Sequence, residues 1–172
     1  MTITVRRVRA EDGRLLKELR LNALDDSPSA FGSTFLDEAD RTDHEWTLRA
    51  QRASTGVELA TFFALDEARG VGLVTGHTQP EPPVEIELVS MWTSPQARRS
   101  GVGRLLVQAV IDWAYESNVP SVGLWVMRGN DPAERLYEEM GFREAAGYEP
   151  RASDPCADEL RMELRLEPRH KG

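Results

Sequence analysis

The sequence predicts an α/β protein with a mixed central sheet of about seven strands and four flanking helices. Strand-like runs follow one another through turns at Glu58 to Leu65, Val71 to His77 and Glu85 to Thr93. An amphipathic helix then separates them from the apolar run Ser121 to Met127, which is typical of a strand buried on both faces. We therefore expect three antiparallel strands that lead into a right-handed strand–helix–strand crossover.

The N-terminal part predicts one strand and two helices. Thr2 to Arg9 alternates imperfectly between apolar and polar residues, which indicates a first strand. Apolar residues recur at helical spacing from Asp12 to Leu24. The segment Asp25 to Pro28 ends that helix, because residues before proline leave the α region. A second helix is expected to end near Ala53, with Thr42 or Asp43 as its cap.

An apolar run, Ala30 to Phe35, lies in the loop between these two helices. Two interpretations fit it. Phe31 and Phe35 either anchor the loop to the core or form one wall of an acceptor pocket for a substrate. The residues alone do not choose between them.

Glycine and proline mark the turns between the strands. Asp66 to Gly70 is expected to form a hairpin, with Gly70 where the backbone needs a positive φ. Gln79 to Pro83 makes the next reversal, because proline cannot donate a hydrogen bond to the sheet.

A glycine-bearing turn follows the strand that ends at Thr93. Its backbone N–H groups, the start of the next helix and the missing Cβ atoms of Gly101 and Gly103 together suit a phosphate. Leu106 stands where the dinucleotide fingerprint needs a third glycine, and the Gly-Lys-Ser/Thr of a P-loop is absent, so both families are excluded. Positive charge around the turn comes from Arg98, Arg99 and Arg104.

The second half of the chain alternates helix and strand. A helix is expected from Val102 to about Ser117, with its apolar stripe on the core. After the strand at 121–127, Asp131 is expected to cap a helix from Pro132 to Met140 that stops at Gly141. A short strand to about Tyr148, a loop at 149–158 and a strand from Leu160 to Leu166 complete the chain.

Two motifs of this sequence resemble those of the GCN5-related N-acetyltransferase (GNAT) family. The first is Arg98-x-x-Gly101-x-Gly103, between a strand and a helix. The second is Asn130-x-x-Ala133-x-x-Leu136-Tyr137-x-x-x-Gly141-Phe142. They stand in family order, separated by one helix and one strand. The chain is therefore identified as a member of this family from about Glu58 to Phe142, and the flanks match by pattern only.

The resemblance implies a GNAT fold whose central parallel strands splay around acetyl-CoA (coenzyme A) as co-substrate, with no metal. Main-chain N–H groups from about Arg99 to Arg104 would hold the pyrophosphate. A bulge near Met91 would aim an N–H at the thioester oxygen. The cofactor-binding residues that it implies are Met91, Trp92, Thr93, Arg98, Arg99, Ser100, Gly101, Val102, Gly103, Arg104, Asn130 and Tyr137.

The resemblance also implies direct acetyl transfer to an amine. Tyr137 would protonate the leaving thiolate, and Glu87 would serve as base, with Glu85 in reserve. In a regular strand these two glutamates share one face with Val89 and Met91. Two alternatives stay open: the carboxylates are exposed acids that attract cations, or the protein has no dedicated base.

Composition limits the other classes of function. The 172 residues fit one domain, divided as 1–57, 58–142 and 143–172. The net charge of −8 argues against a nucleic-acid partner and favours amines or basic peptides. The single Cys156 excludes an intrachain disulfide, and His44, His77 and His170 lack the spacing of metal ligands. We find neither a secretory signal nor a membrane-length apolar run, so we expect a cytoplasmic protein without a membrane partner.

The expected function is acetyl transfer from acetyl-CoA to a primary amine of a small molecule. A peptide N-terminus or a lysine is the alternative acceptor, and a catalytically silent CoA-binding regulatory module is the alternative of another class. The acceptor walls are expected in loops 25–35 and 149–158, whose sequences do not declare a ligand. Dimers are common among similar proteins, so a homodimer is one expected assembly.

Overall fold

The structure is a computed structural model that describes residues 1–82, 84–146 and 158–168. Within these ranges, seven strands form one sheet. They are β1 (Ile3–Arg7), β2 (Leu59–Asp66), β3 (Arg69–Gln79), β4 (Glu85–Thr93), β5 (Ser121–Met127), β6 (Arg143–Glu144) and β7 (Glu159–Arg165). Their spatial order is β1-β2-β3-β4-β5-β7-β6. Among the strand pairs of the described residues, only β4–β5 is parallel. The predicted α/β class and mixed sheet are confirmed.

The described part of the chain has five α-helices beside the sheet, one more than the sequence predicts. They are α1 (Gly13–Asp26), α2 (Phe35–Ala39), α3 (Asp43–Ser54), α4 (Val102–Glu116) and α5 (Asp131–Glu139). The unpredicted helix is α2, whose five residues are too few to show a helical period. Thr34 starts it, because its side chain accepts a hydrogen bond from the backbone N–H of Asp37 at 3.2 Å.

The helices cover opposite faces of the sheet. On one face, Leu106, Val110 and Trp113 of α4 pack against Ile86 and Val122 of the parallel strands. On the other face, α1 and α3 form a second cluster over β2 and β3, with these buried members: Leu16, Leu19, Trp46, Ala50, Phe63 and Leu73. Every site described below lies on or between these two faces.

Two predicted turn details are wrong. In the β2–β3 hairpin, the positive φ of 55° falls on Glu67 rather than on Gly70. Gly70 is required for space instead, since a Cβ there would lie 2.8 Å from Cδ2 of Leu19. At α5 the cap is Asn130, one residue before the predicted Asp131.

The ends of the other elements agree with prediction to within a few residues. Thr42 is the cap of α3, in a reciprocal capping box with Glu45. The predicted strand to Tyr148 is described only at Arg143–Glu144. Residues 147–157, which include Cys156 and most of the predicted acceptor loop, lie outside the described residues, as does His170.

Candidate active site

The two parallel strands separate along their length. Their register covers only Ile86–Leu88 and Val122–Leu124, although β4 continues to Thr93 and β5 to Met127. Beyond Leu88, the side of β4 that faces β5 therefore carries main-chain groups outside the ladder. An extended ligand can pair with such groups as an added strand would. The predicted splay is present.

A bulge interrupts β4 at the same place. Leu73 pairs with Trp92 while Thr75 pairs with Val89, so β4 carries one extra residue, and Ser90 takes a φ of 55°. The extra residue reverses the alternation of side chains. Met91 packs with the α4 cluster, so the prediction that it shares a face with Glu85 and Glu87 is wrong, because it assumed a regular strand.

The glycine turn before α4 is open at its centre. Gly101 has a φ of 85°, and a Cβ there would meet no atom of the described residues within 4 Å. No side chain in the described part of the chain caps α4, so the N–H groups of its first turn remain available. Gly103 is packed instead, 3.1 Å from Leu136 and 3.3 Å from Met91 by the same measure. These features fit a bound pyrophosphate.

The arginines of the turn have protein partners. Arg98 donates through Nε to the carbonyl of Thr93 at 3.1 Å and forms an ion pair with Asp26, the last residue of α1. Asp26 also accepts from Nε1 of Trp92 at 2.9 Å. Arg104 pairs with Glu139 of α5 at 2.5 Å. Arg98 and Arg104 therefore fix the turn to α1 and α5.

For the other predicted cofactor residues, the main chain is better placed than the side chain to contact a cofactor. Trp92 is buried among the residues under α1, and Val102 is buried in the α4 cluster. The hydroxyl of Ser100 donates to the carbonyl of Ala97 at 2.5 Å. The carbonyl of Asn130 accepts from the N–H of Glu134 at 3.0 Å, while its side chain is exposed. Arg99 lies exposed in the turn with a φ of 60°.

Glu85 and Glu87 lie side by side on the face opposite α4. Each is 7% exposed, so the interpretation as surface acids is wrong. Arg161 of β7 forms an ion pair with Glu85 and places Nη1 3.9 Å from Oε1 of Glu87. Gln79 donates to Oε2 of Glu87 at 2.9 Å. Burial raises the pKa of Glu85 above its ordinary value, although Arg161 acts in the opposite direction.

Arg161 crosses β5 because Gly123 leaves room for it. A Cβ at Gly123 would lie 2.0 Å from Nη2 of Arg161. Sequence reasoning missed this contact. One signal was available: an interior glycine in a strand often marks the close approach of another group.

Tyr137 lies on α5 within the cluster under α4 and is 6% exposed. Its ring meets Phe142 edge-on with centroids 5.8 Å apart. Burial raises the pKa of its hydroxyl far above the ordinary value, because the phenolate form is poorly solvated there. Tyr137 therefore holds its proton at neutral pH.

The two loop phenylalanines occupy different environments. Phe31 packs partly against the cluster under α1, with the guanidinium of Arg20 4.7 Å from its ring centroid. Phe35 begins α2 and is 40% exposed, so it does not anchor the loop to the core.

The described residues contain neither a candidate metal cluster nor a membrane-spanning helix. His44 and His77 lie apart, and no group of three or more His, Cys, Asp or Glu side chains there is arranged to hold a metal ion. Among the helices of residues 1–82, 84–146 and 158–168, none has the length and apolarity needed to span a bilayer.

Comparison with family models matches the acetyltransferase (GNAT) family over residues 21–142, which is most of the chain. The chain belongs to the GNAT acetyltransferase family. A mycothiol acetyltransferase of Thermomonospora curvata is 33% identical over 101 residues, which are 56% of this chain and 33% of that protein. This GNAT chain thus spans about a third of the length of that curated relative.

Solved GNAT structures share the whole fold. The acetyltransferase of GNAT family from Streptococcus pneumoniae superposes with a TM-score of 0.79 at 21% identity, over 96% of this chain and 100% of that one. The yncA protein of Salmonella typhimurium, solved with its cofactor acetyl-CoA, gives a TM-score of 0.77 at 16% identity, over 97% of this chain and 95% of that one. At these identities the likeness establishes the fold.

Proposed function

We propose that this GNAT protein transfers the acetyl group of acetyl-CoA to a primary amine of a small molecule. The observation that carries the proposal is the splay of β4 from β5, which begins after Leu88, next to Glu87, and leads toward the open turn at Gly101. The relative named as a mycothiol acetyltransferase supports a small-molecule acceptor. Acetyl-CoA, when bound, supplies an acetyl group activated as a thioester.

The main chain would hold the donor. N–H groups from Arg99 to Arg104 bind the pyrophosphate at the start of α4, where the helix dipole favours an anion. The backbone of β4 after Leu88 pairs with the extended pantetheine arm. The bulge at Ser90 changes the direction of the local N–H groups, one of which would stabilise negative charge on the thioester oxygen.

Two side chains of this protein would move the protons. The acceptor nitrogen forms a bond to the acetyl carbon and the carbon–sulfur bond breaks. The proton of the amine goes to Glu87, directly or through water, and the sulfur takes the hydroxyl proton of Tyr137. Arg161 and Gln79 orient the Glu87 carboxylate from two sides. Glu85, held by Arg161, is the reserve base.

A catalytically silent CoA-binding module is the candidate of another class. It would need the turn at Gly101 but neither an oriented Glu87 nor a buried Tyr137. The hydrogen bond that Gln79 makes to Glu87 favours the enzyme, because a binding module gains nothing from it.

Thiol release from acetyl-CoA with a panel of amines tests the enzyme directly. We expect turnover with at least one small amine, and release with none of them while CoA still binds would favour the silent module. The turn itself is tested by calorimetry of CoA with Gly101→Asp against Gly101→Asn. The two side chains are close in size and tolerate a positive φ similarly, so the added charge explains a further loss of affinity.

A further inference from the structure

A cavity of the protein adjoins the bulge at Ser90. It has a volume of about 260 Å³ and lies between α1, α3 and the strands β2 to β4. Val89 and Ser90 line it, so it reaches the part of β4 that the splay exposes on the other side. His77 also lines it and pairs in register with Glu87. The cavity therefore ends beside the proposed base.

The cavity is lined by positive charge in an otherwise acidic protein. Arg20, Arg49 and Arg52 contribute to its wall. Arg20 is 7% exposed, and it donates to Ser90 at 3.2 Å and to Ser33 at 2.9 Å. One carboxylate, Glu38, lies within 3.7 Å of Arg20. The net charge of −8 gives no sign of this local surplus.

The carboxylate of Glu38 is shared among several arginines. Glu38 also binds Arg49 at 2.6 Å and Arg41 at 2.9 Å, so it faces three guanidinium groups. Arg52 adds a further charge and has no carboxylate within ion-pair distance in the described ranges. Burial lowers the pKa of Arg20, with Glu38 opposing and Arg49 adding to the effect. The cavity wall is thus positively charged and incompletely neutralised.

Arg20 also has an unused donor. Its Nε is buried and has no hydrogen-bond partner among the described residues. A buried donor without a partner is uncommon and indicates a missing water or anion near it. The guanidinium fork is suited to a carboxylate, which can neutralise charge and accept hydrogen bonds together.

We infer that this cavity binds the carboxylate of the amine acceptor, and that the acceptor is an amino acid with an apolar side chain. The inference rests on the proposed acetyl transfer. Arg20 and Arg52 face the carboxylate, the amine points along His77 toward Glu87, and the apolar part of the wall receives the side chain. That part consists of Leu16, Ala53, Leu59, Leu73 and Val89.

The size of the cavity favours a free amino acid. Sites for drug-sized ligands are typically about 300–1,000 Å³, and this one is smaller. A decarboxylated amine would leave the arginines without an anion, and a site built for a charged partner rejects an analogue that lacks it. A peptide would have to carry its carboxylate further from the amine.

Three matched compounds test the acceptor: L-leucine, L-leucinamide and 3-methylbutylamine. They share the side chain and the amine and differ in the carboxylate. With rates expressed per free amine, we expect kcat/KM for leucine to exceed that for each of the others by roughly tenfold or more. Equal or faster turnover of the amide, of the amine or of a leucyl dipeptide would overturn the inference while leaving the proposed transfer intact.

Binding without turnover gives a separate readout. Calorimetry of leucine with the protein should show roughly tenfold weaker binding in Arg52→Ala, which changes an exposed side chain and leaves the buried network alone. Arg69→Ala, in the exposed β2–β3 hairpin, removes the same charge and should bind leucine as the wild type does. Arg20→Lys, which keeps the charge but not the fork, should also weaken binding.

Identical leucine affinity in the wild type, Arg52→Ala and Arg20→Lys would overturn the inference. If leucine binding depends on Arg52 but no amine in any panel is acetylated, the cavity assignment holds and the proposed acetyl transfer fails. The two proposals therefore fail through different measurements.

Discussion

Tyr137 is the residue whose proposed task is most sharply defined. It is buried on α5, packed against Phe142, and its raised pKa keeps the hydroxyl protonated at any physiological pH. The same burial disfavours the phenolate, so the hydroxyl can act on the leaving thiolate by hydrogen bonding as well as by giving its proton. The ring and the hydroxyl therefore have separable roles in packing and in chemistry.

Replacing Tyr137 by Phe keeps the ring and removes the hydroxyl. We expect kcat to fall by roughly ten- to a thousandfold, about 1.4 to 4 kcal/mol of transition-state stabilisation, with little change in thermal midpoint or acetyl-CoA affinity. Tyr115→Phe is the matched control, because Tyr115 packs against the same cluster from α4. Full activity in Tyr137→Phe would remove this residue from the mechanism.

Glu87→Gln tests the base. The variant should lower kcat/KM about tenfold or more at neutral pH, where the amine is mostly protonated. The deficit should shrink as pH rises and free amine becomes abundant, and a pH–rate profile of the variant and wild type measures it. A deficit that is constant with pH would mean that Glu87 positions the acceptor. An unchanged variant would transfer the role to Glu85 or to water.

At the scale of elements, β5 has no side chain at Gly123, and a side chain of β7 occupies the space. Arg161 reaches from β7 across Gly123 to Glu85, so three neighbouring strands meet in one buried charge cluster. The cluster depends on a missing side chain, because nothing larger than hydrogen fits at that position of β5. Displacing Arg161 would break its ion pair with the buried carboxylate of Glu85.

Gly123→Ala should therefore be costly. The added Cβ would lie 2.0 Å from Arg161 and displace it, and we expect a loss of about 2–4 kcal/mol in the free energy of unfolding, measured by denaturant titration. Gly32→Ala is the control, since a Cβ there meets nothing within 4 Å in the described residues. A Gly123→Ala variant as stable as Gly32→Ala would contradict the account of the cluster.

Local patterns predicted most elements well, and long-range contacts set what they missed. The bounds of β4 and β5 agree with the predicted runs because apolar composition and flanking turns decide them. The facing of Met91 was wrong because one extra residue at Ser90 reverses a strand's alternation and leaves no mark in composition. Arg161 was missed because its partner lies 76 residues away.

Asp26 joins parts of the whole molecule that are remote in sequence. At the end of α1 it accepts from Trp92 of β4 and pairs with Arg98 of the glycine turn. The hydrogen bond from Trp92 is the main cause that lowers its pKa below the ordinary value, and Arg98 adds to it. The helix layer on one face is thereby linked to the turn that starts α4 on the other.

The lowered pKa fixes how stability depends on pH. Because folding favours the ionised form of Asp26, this carboxylate contributes fully to the free energy of unfolding above the ordinary Asp pKa of about 3.9. The contribution is lost as the pH falls through the lower pKa of the folded state. Asp26→Asn should lose about 1 kcal/mol at neutral pH, or roughly 2–4 °C in thermal midpoint. The difference from wild type should narrow below about pH 4. A gap that stays constant down to pH 2 would contradict the ion pair.

Because β4 and β5 separate, β4 has an unpaired edge inside the sheet. Exposed edges at the rim of a sheet invite pairing with strands of other chains, and proteins commonly block them with charge or proline. The free groups of β4 after Leu88 instead face a slot between β4 and β5 within the fold. A second folded copy of the chain cannot present a strand there, whereas a thin, flexible ligand can enter. The fold thus carries an unpaired strand edge without the aggregation hazard that such an edge brings at the rim of a sheet.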